Sequence, residues 1–214
     1  MENVEDLLRV YESKRGDIER RIEDFERIRE SGTELDLFKE LVFCLLTPQS
    51  KARVCWSAVE SLTESGVIFS GDEKGILKHL KGVRFKENKA RYIVLARDMF
   101  ARNGKIRLRE ILESFENPSD AREWFVKNVK GMGYKEASHF LRNTGFGLNL
   151  AILDRHILKN LKLYNVIPEI PKSLTRKRYL SIENSMRRFA EDIGIPMPHL
   201  DLLLWCKETG EVFK

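Results

Sequence analysis

The sequence predicts an all-α protein. Apolar residues recur at three- and four-residue intervals along most of the chain, no stretch alternates as a strand between hairpin turns, and the prolines fall at helix starts or in loops. Residues 3–30 carry Val4, Leu7, Leu8, Tyr11, Ile18, Ile22, Phe25 and Ile28 on one amphipathic face, with a break expected near Gly16. Further helices are expected at 34–46, 50–64, 86–103, 106–114, 118–129, 134–143, 155–163, 175–193 and 197–207. Pro118, after Asn117, suits a first helical position, where an N–H would have no helical partner. Pro168, Pro171, Pro196 and Pro198 punctuate loops.

Composition narrows the function classes. A chain of 214 residues with 42% hydrophobic content can bury a core in one or two small lobes and is not disordered. Its longest uninterrupted apolar run, Leu41 to Leu46, is far short of the roughly 20 residues that cross a bilayer. No secretory signal pattern opens the chain. Three widely spaced cysteines, Cys44, Cys55 and Cys206, argue against a disulfide framework and for a reducing interior. No Cys/His cluster has zinc-ligand spacing. The net charge is only +5, but Lys78 to Arg109 holds eleven Lys and Arg against Glu87 and Asp98. Residues 1–30, by contrast, hold ten acids and seven bases. Such a basic stretch suits a phosphate backbone, or else a solvated helix face.

The chemistry concentrates between residues 126 and 156. Gly131 and Gly133 flank Met132 between two helical patterns, which marks a tight turn suited to glycine. The backbone N–H groups exposed there, at the start of a helix near Tyr134, form an anion site fit for phosphate. Lys135 lies in that helix's first turn, where the positive dipole end works against a second positive charge and favours the neutral, nucleophilic amine. Asp154 follows the turn-like Gly145-Phe146-Gly147-Leu148-Asn149 and precedes the apolar Ile157, Leu158 and Leu161. The spacing lets the two side chains meet without requiring it. Taken singly, Lys135 reads equally as a surface lysine, Asp154 as an N-cap and His156 as a surface histidine.

The whole string resembles a known family. Val129-Lys130-Gly131-Met132-Gly133-Tyr134-Lys135-Glu136-Ala137, then Asp154-Arg155-His156-Ile157, is similar to the helix-hairpin-helix DNA glycosylases, which include endonuclease III, adenine-mismatch glycosylases and 8-oxoguanine glycosylases. Leu45-Leu46-Thr47-Pro48-Gln49-Ser50 resembles the segment that fills the hole left by a flipped base. Asn88-Lys89-Ala90-Arg91-Tyr92-Ile93 resembles a barrel helix of the family. The resemblance spans about residues 37 to 160. It implies two helical lobes flanking a DNA-binding cleft: a central helical barrel at 33–148, with its helix-hairpin-helix motif near 121–143, and a second lobe from 1–32 plus 149–214. Lys135 and Asp154 would face each other across the cleft.

By this resemblance Lys135 attacks C1′ of the sugar, expels the base and leaves a Schiff base that permits β-elimination, while Asp154 steadies the developing positive charge. Gln49 would fill the gap and Phe85 would act as an apolar wedge. The alternatives are a helix cap for Gln49 and a core position for Phe85. Gly131, Gly133 and His156 would contact the DNA backbone, and the carbonyls of Lys127, Val129 and Met132 would hold a monovalent cation; no metal is expected from side chains. Endonuclease III and its adenine-mismatch relatives usually carry an iron–sulfur cluster on four grouped cysteines, which this chain lacks, so no cofactor is expected.

The carboxyl end points to the base. A short chain with Asp201, Trp205 and a final lysine, Lys214, looks like the mainly archaeal type 2 class of 8-oxoguanine glycosylases, in which that lysine separates oxidised from normal guanine. 8-Oxoguanine carries a donor at N7 where guanine has an acceptor, so a buried acceptor discriminates by about 1–3 kcal/mol. The Lys214 α-carboxylate or a carbonyl near Leu200 would supply it, and Trp205 would stack on the base unless it is simply core. The expectation is a bifunctional 8-oxoguanine DNA glycosylase and AP lyase, monomeric, acting on damaged double-stranded DNA in a prokaryotic cytoplasm or nucleoid, with no membrane partner. Still open are a glycosylase for oxidised pyrimidines or alkylated bases and a non-catalytic helix-hairpin-helix module.

Overall fold

A computed structural model describes residues 4–214. The expected helix start at residue 3 lies outside the described residues. Along the chain run α1 (Val4–Ser31), α2 (Glu34–Leu46), α3 (Ala52–Glu64), α4 (Val67–Ser70), α5 (Glu73–Leu77) and α6 (Lys86–Phe100). A short antiparallel hairpin follows, β1 (Ala101–Arg102) with β2 (Lys105–Ile106). Then come α7 (Arg109–Glu113), α8 (Pro118–Asn128), α9 (Tyr134–Asn143), α10 (Arg155–Leu163), α11 (Arg176–Asp192) and α12 (Met197–Thr209). The all-α expectation holds, with Pro118 in the first turn of α8 and the Asn117 side chain capping it.

Three local expectations are corrected. Helix α1 runs unbroken through Gly16. A mid-helix glycine costs about 1 kcal/mol, which is small beside the burial of Leu7, Tyr11, Ile18 and Phe25, each contributing about 1.5–3 kcal/mol. That face packs on α12, where the Tyr11 hydroxyl meets His199 Nδ1 at 2.9 Å. Second, residues 101–103 and 106, expected at the end of one helix and the start of the next, belong instead to a hairpin, because Asn103 and Gly104 both take positive φ (51° and 72°), as a tight Asn-Gly turn requires. Third, α3 starts at Ala52, two residues late, after an extended Lys51. The short α4 and α5 were not expected at all; Asp72 begins the second by accepting from the Gly75 N–H.

Two hydrophobic cores form. The first gathers α2, α3, α6, α8 and α9 with their connections, and also takes in Leu150 and Phe213. The second joins α1 to α10, α11 and α12. Helix α2 is nearly all buried from Leu37 to Leu46, and its start is fixed by a capping box between Thr33 and Asp36. It therefore delivers the turn Thr47–Ser50 from a rigid stem.

Between the cores lies a buried, non-helical stretch at 150–153 whose backbone groups need partners. Side chains from later helices supply them. Glu183 accepts from the Ala151 N–H (2.8 Å), the Tyr179 hydroxyl donates to the Ala151 carbonyl (2.6 Å), and Asp201 accepts from the Ile152 N–H (3.2 Å). Glu183 is itself gripped by both terminal nitrogens of Arg122 at 2.7 and 3.0 Å, linking α11 to the hairpin helix α8. A pair this buried is a weak source of stability but a strong constraint on geometry.

Candidate active site

Helices α8 and α9 and the turn at 129–133 make the expected helix-hairpin-helix. Inside the turn the Met132 N–H donates to the Val129 carbonyl at 3.2 Å, and Gly131 takes φ 91°. A Cβ there would be driven into the Tyr92 ring of α6, 2.9 Å from Cε2, so glycine is required for space and conformation together. Gly133 differs from the sequence argument: its φ of −100° is ordinary, and a Cβ would only press on Glu136 Oε2 at 3.0 Å. Glu136 caps α9 by accepting from the Gly133 N–H at 3.1 Å.

Lys135 projects from this first turn, about one-fifth exposed. Its amine donates to Thr47 Oγ1 at 3.1 Å and lies 3.4 Å from Glu136 Oε1. Thr47 in turn donates to the Cys44 carbonyl at 2.9 Å, so its lone pair is aimed at the lysine. Sequence reasoning missed both partners. The Glu136 signal was legible as a glutamate at the third position of a helix, which places a negative charge beside Lys135 that the dipole argument left out.

Asp154 is the N-cap of α10. Its Oδ1 accepts from the N–H groups of His156 (2.8 Å) and Ile157 (2.9 Å), so the capping alternative holds for one oxygen. Oδ2 accepts no hydrogen bond from the described residues. No hydrogen bond or ion pair joins Lys135 to Asp154 among the described residues. Beneath Asp154 lies Asp201, whose carboxylate contacts Arg142 at 3.4 Å as well as the Ile152 N–H. Burial pushes its pKa up to about 6 against the pull of Arg142, with Asp154 adding to the rise. Asp201, expected in a base pocket, is buried, with Oδ1 bonded to the segment that leads to Asp154 and Oδ2 against Arg142 of α9.

Gln49 and Phe85 share one peculiarity. Each takes positive φ without being glycine (55° and 56°) and each side chain is exposed, Phe85 by 53%. Such a residue stores about 1–2 kcal/mol. Gln49 does not cap α3, whose start has no side-chain cap, and Phe85 is not core. Arg84 lies 5.5 Å from the centroid of the Phe85 ring. Of the eleven basic residues at 78–109, eight are exposed, whereas Lys89 is buried and Arg97 and Arg109 are spent on backbone carbonyls. His156 is part-buried, with Nδ1 3.8 Å from Glu208 Oε2.

The tail is docked. Phe213 packs edge-on to Phe43 under the Arg53 guanidinium, and Arg53 pairs with Glu211. Lys214 Nζ hydrogen-bonds the buried Glu40 and lies 3.4 Å from the Trp56 ring centroid. Burial lowers its pKa, opposed by Glu40. Glu40 also accepts from Asn143 Nδ2 at 2.8 Å. Trp205, partly buried, packs against both cores. Cys44, Cys55 and Cys206 are buried free thiols. No described helix is long and apolar enough to cross a membrane.

Comparison with known proteins follows the same lines. Residues 18–195 match the family model for 8-oxoguanine DNA glycosylase. The chain is 46% identical over 213 residues to an 8-oxoguanine DNA glycosylase/AP lyase of Fusobacterium nucleatum subsp. nucleatum, covering 100% of this chain and 98% of that protein. Its fold matches the crystal structure of the 8-oxoguanine DNA glycosylase of Thermotoga maritima with a TM-score of 0.87 at 38% identity, over 98% of this chain and 97% of that one. It also matches the Methanocaldococcus jannaschii 8-oxoguanine glycosylase/lyase in complex with 15mer DNA containing 8-oxoguanine, with a TM-score of 0.86 at 38% identity, over 97% and 99% of the two chains.

Proposed function

Because the chain belongs to the 8-oxoguanine DNA glycosylase family, we propose that Lys135 and Asp154 carry out its reaction from opposite sides of the target sugar. The protein is a glycosylase that removes 8-oxoguanine from DNA and an AP lyase that cleaves the abasic product. What supports the assignment of roles is the pairing of an amine held by Thr47 and Glu136 with a carboxylate oxygen left free by the α10 cap.

Neutral Lys135 Nζ attacks C1′, the N-glycosidic bond breaks, and the base leaves with the bonding electrons and takes up a proton. Oδ2 of Asp154 faces the cation that develops on the sugar, while Oδ1 stays bound to the helix N-terminus, so the carboxylate does not swing. Ring opening gives the imine. Loss of a C2′ proton from that imine then breaks the C3′–O bond and releases the 3′ phosphate. Glu136, the nearest carboxylate to the amine, is placed to take the proton that Lys135 sheds.

The two cores support a division into a barrel at 33–148 and a lobe from both chain ends, with Leu150 and Phe213 reaching into the barrel core and Trp205 packed on both. The exposed bases of residues 78–107 and the hairpin would meet the phosphates, with His156 beside them, as a monomer on double-stranded DNA inside a prokaryotic cell. Val129 O is already used once by Met132 N–H, so a monovalent cation at Lys127, Val129 and Met132 would draw on its second lone pair; such an ion would add positive charge toward a phosphate. Lys214, with its partners Glu40 and Trp56, is assigned to selection of the extruded base, and Trp205 to stacking on it.

Borohydride reduction on an 8-oxoguanine duplex tests the mechanism. The native chain should form a covalent adduct and Lys135→Gln none. An undiminished adduct in the variant would remove Lys135 from the reaction.

A further inference from the structure

Lys89 is the one lysine of the basic stretch that never reaches solvent, being 3% exposed. Its three N–H donors meet three neutral acceptors: the Leu46 carbonyl at 2.7 Å, the Pro48 carbonyl at 2.7 Å and Ser50 Oγ at 3.1 Å. No carboxylate pairs with it among the described residues. Every donor is spent on the turn that carries Gln49.

The same residue holds the second turn. Its backbone N–H donates to the Phe85 carbonyl at 3.1 Å, closing the first turn of α6 behind Phe85. Ser50 Oγ, already bonded to the amine, also accepts from the Arg84 N–H at 3.0 Å. Lys89 and Ser50 therefore stitch together two turns that lie more than thirty residues apart in sequence (85 − 49 = 36). Both turns end in an exposed side chain on a positive-φ residue. Burial without a counterion lowers the Lys89 pKa and is an unfavourable way to fill space, which a methionine would do without desolvating a charge.

We propose that Lys89 is a positioning residue that locks the Gln49 and Phe85 turns in a single register, so that the two side chains enter the duplex together when the damaged base leaves. The inference rests on the reading of Gln49 and Phe85 as gap fillers. Rigid support matters because a displaced base restacks within the time of chemistry unless its place is taken. The nucleophile is secured separately, since Thr47 is anchored to the Cys44 carbonyl at the end of α2.

The test compares a substrate that must be opened with one that need not be. Lys89→Met, Ser50→Ala, Gln49→Ala and Phe85→Ala are assayed for single-turnover excision from an 8-oxoguanine duplex, and for borohydride trapping on a single-stranded abasic oligonucleotide, with thermal unfolding as a check. Lys89→Met should lose about tenfold or more in duplex excision and stay within about twofold in single-strand trapping. Ser50→Ala, which leaves the amine its two carbonyls, should show the same pattern with a loss of about threefold. It serves as the deciding variant if Lys89→Met does not fold. Native excision, or equal losses on both substrates, in the variants of Lys89 and Ser50 would overturn the proposal. If Gln49→Ala and Phe85→Ala both excise normally, the gap-filler reading falls and takes the proposal with it; if they are impaired while Lys89→Met and Ser50→Ala are not, the positioning role alone falls.

Discussion

Asp154 caps α10 through Oδ1 and, in the proposed mechanism, faces the sugar through Oδ2, and asparagine separates the two. In Asp154→Asn the amide oxygen can still accept from the N–H groups of His156 and Ile157, now at 2.8 and 2.9 Å, because asparagine caps helices about as well as aspartate. What is lost is the charge. Near a helix N-terminus that loss costs about 0.3–1 kcal/mol, and in a chain of this size it lowers the melting temperature by about 1–4 °C. In Asp154→Ala the cap goes too, adding about 1 kcal/mol. Catalysis should respond on another scale, since a positioned charge facing a developing one contributes about 10²–10³ in rate, or about 3–4 kcal/mol. Thermal scans and single-turnover excision on an 8-oxoguanine duplex therefore give two orderings. Stability should fall native, Asn, Ala in small even steps, whereas activity should drop about a hundredfold or more already at Asn. Excision by Asp154→Asn within threefold of native would reduce Asp154 to a cap and refute the role given to Oδ2.

Two further outcomes concern the frame of the site. Gly131→Ala forces a Cβ into Tyr92 at φ 91°, so unfolding free energy should fall by about 2–4 kcal/mol and DNA affinity with it; Tyr92→Ala in the same background should restore part of the stability, and no recovery in urea unfolding would put the cost elsewhere. Asp201 has its folded pKa raised from 3.8 to about 6, so the native state holds its proton where the unfolded chain has lost it. Its contribution is present below about pH 4, is lost as pH rises to about 6 and is flat beyond, by as much as about 3 kcal/mol. The difference in unfolding free energy between native protein and Asp201→Asn should shrink across that window, and a pH-independent difference would contradict the assignment.

The sequence made the helices legible wherever an apolar stripe was long, as in α9 and α10, whose bounds match the expected ones. It was misleading at Gly16, where contacts with α12 outweigh a local preference, and at residues 101–103, where the end of an expected helix is instead the first arm of a tight turn. Within the site, Lys135 and Asp154 stand out through the whole motif string, since each alone reads as an ordinary residue at a helix start. Thr47 and Lys89 could not be assigned roles, since their contacts cross more than thirty-five residues of sequence and depend on how α2, α6 and α9 pack. The terminal lysine is a mixed case. Its interest was readable, but the cage of Glu40, Trp56 and Phe43 that receives it comes from two distant helices.

The pegs that hold residues 151–153 also impose an order on synthesis. The hairpin and Lys135 leave the ribosome well before Tyr179, Glu183 and Asp201, the side chains that fix the approach to Asp154. A growing or truncated chain that lacks α11 and α12 thus carries the hairpin sequence and its lysine while the segment leading to Asp154 has none of these partners. The place of Asp154 is therefore set only by the last part of the chain to be made, the part that completes the second core.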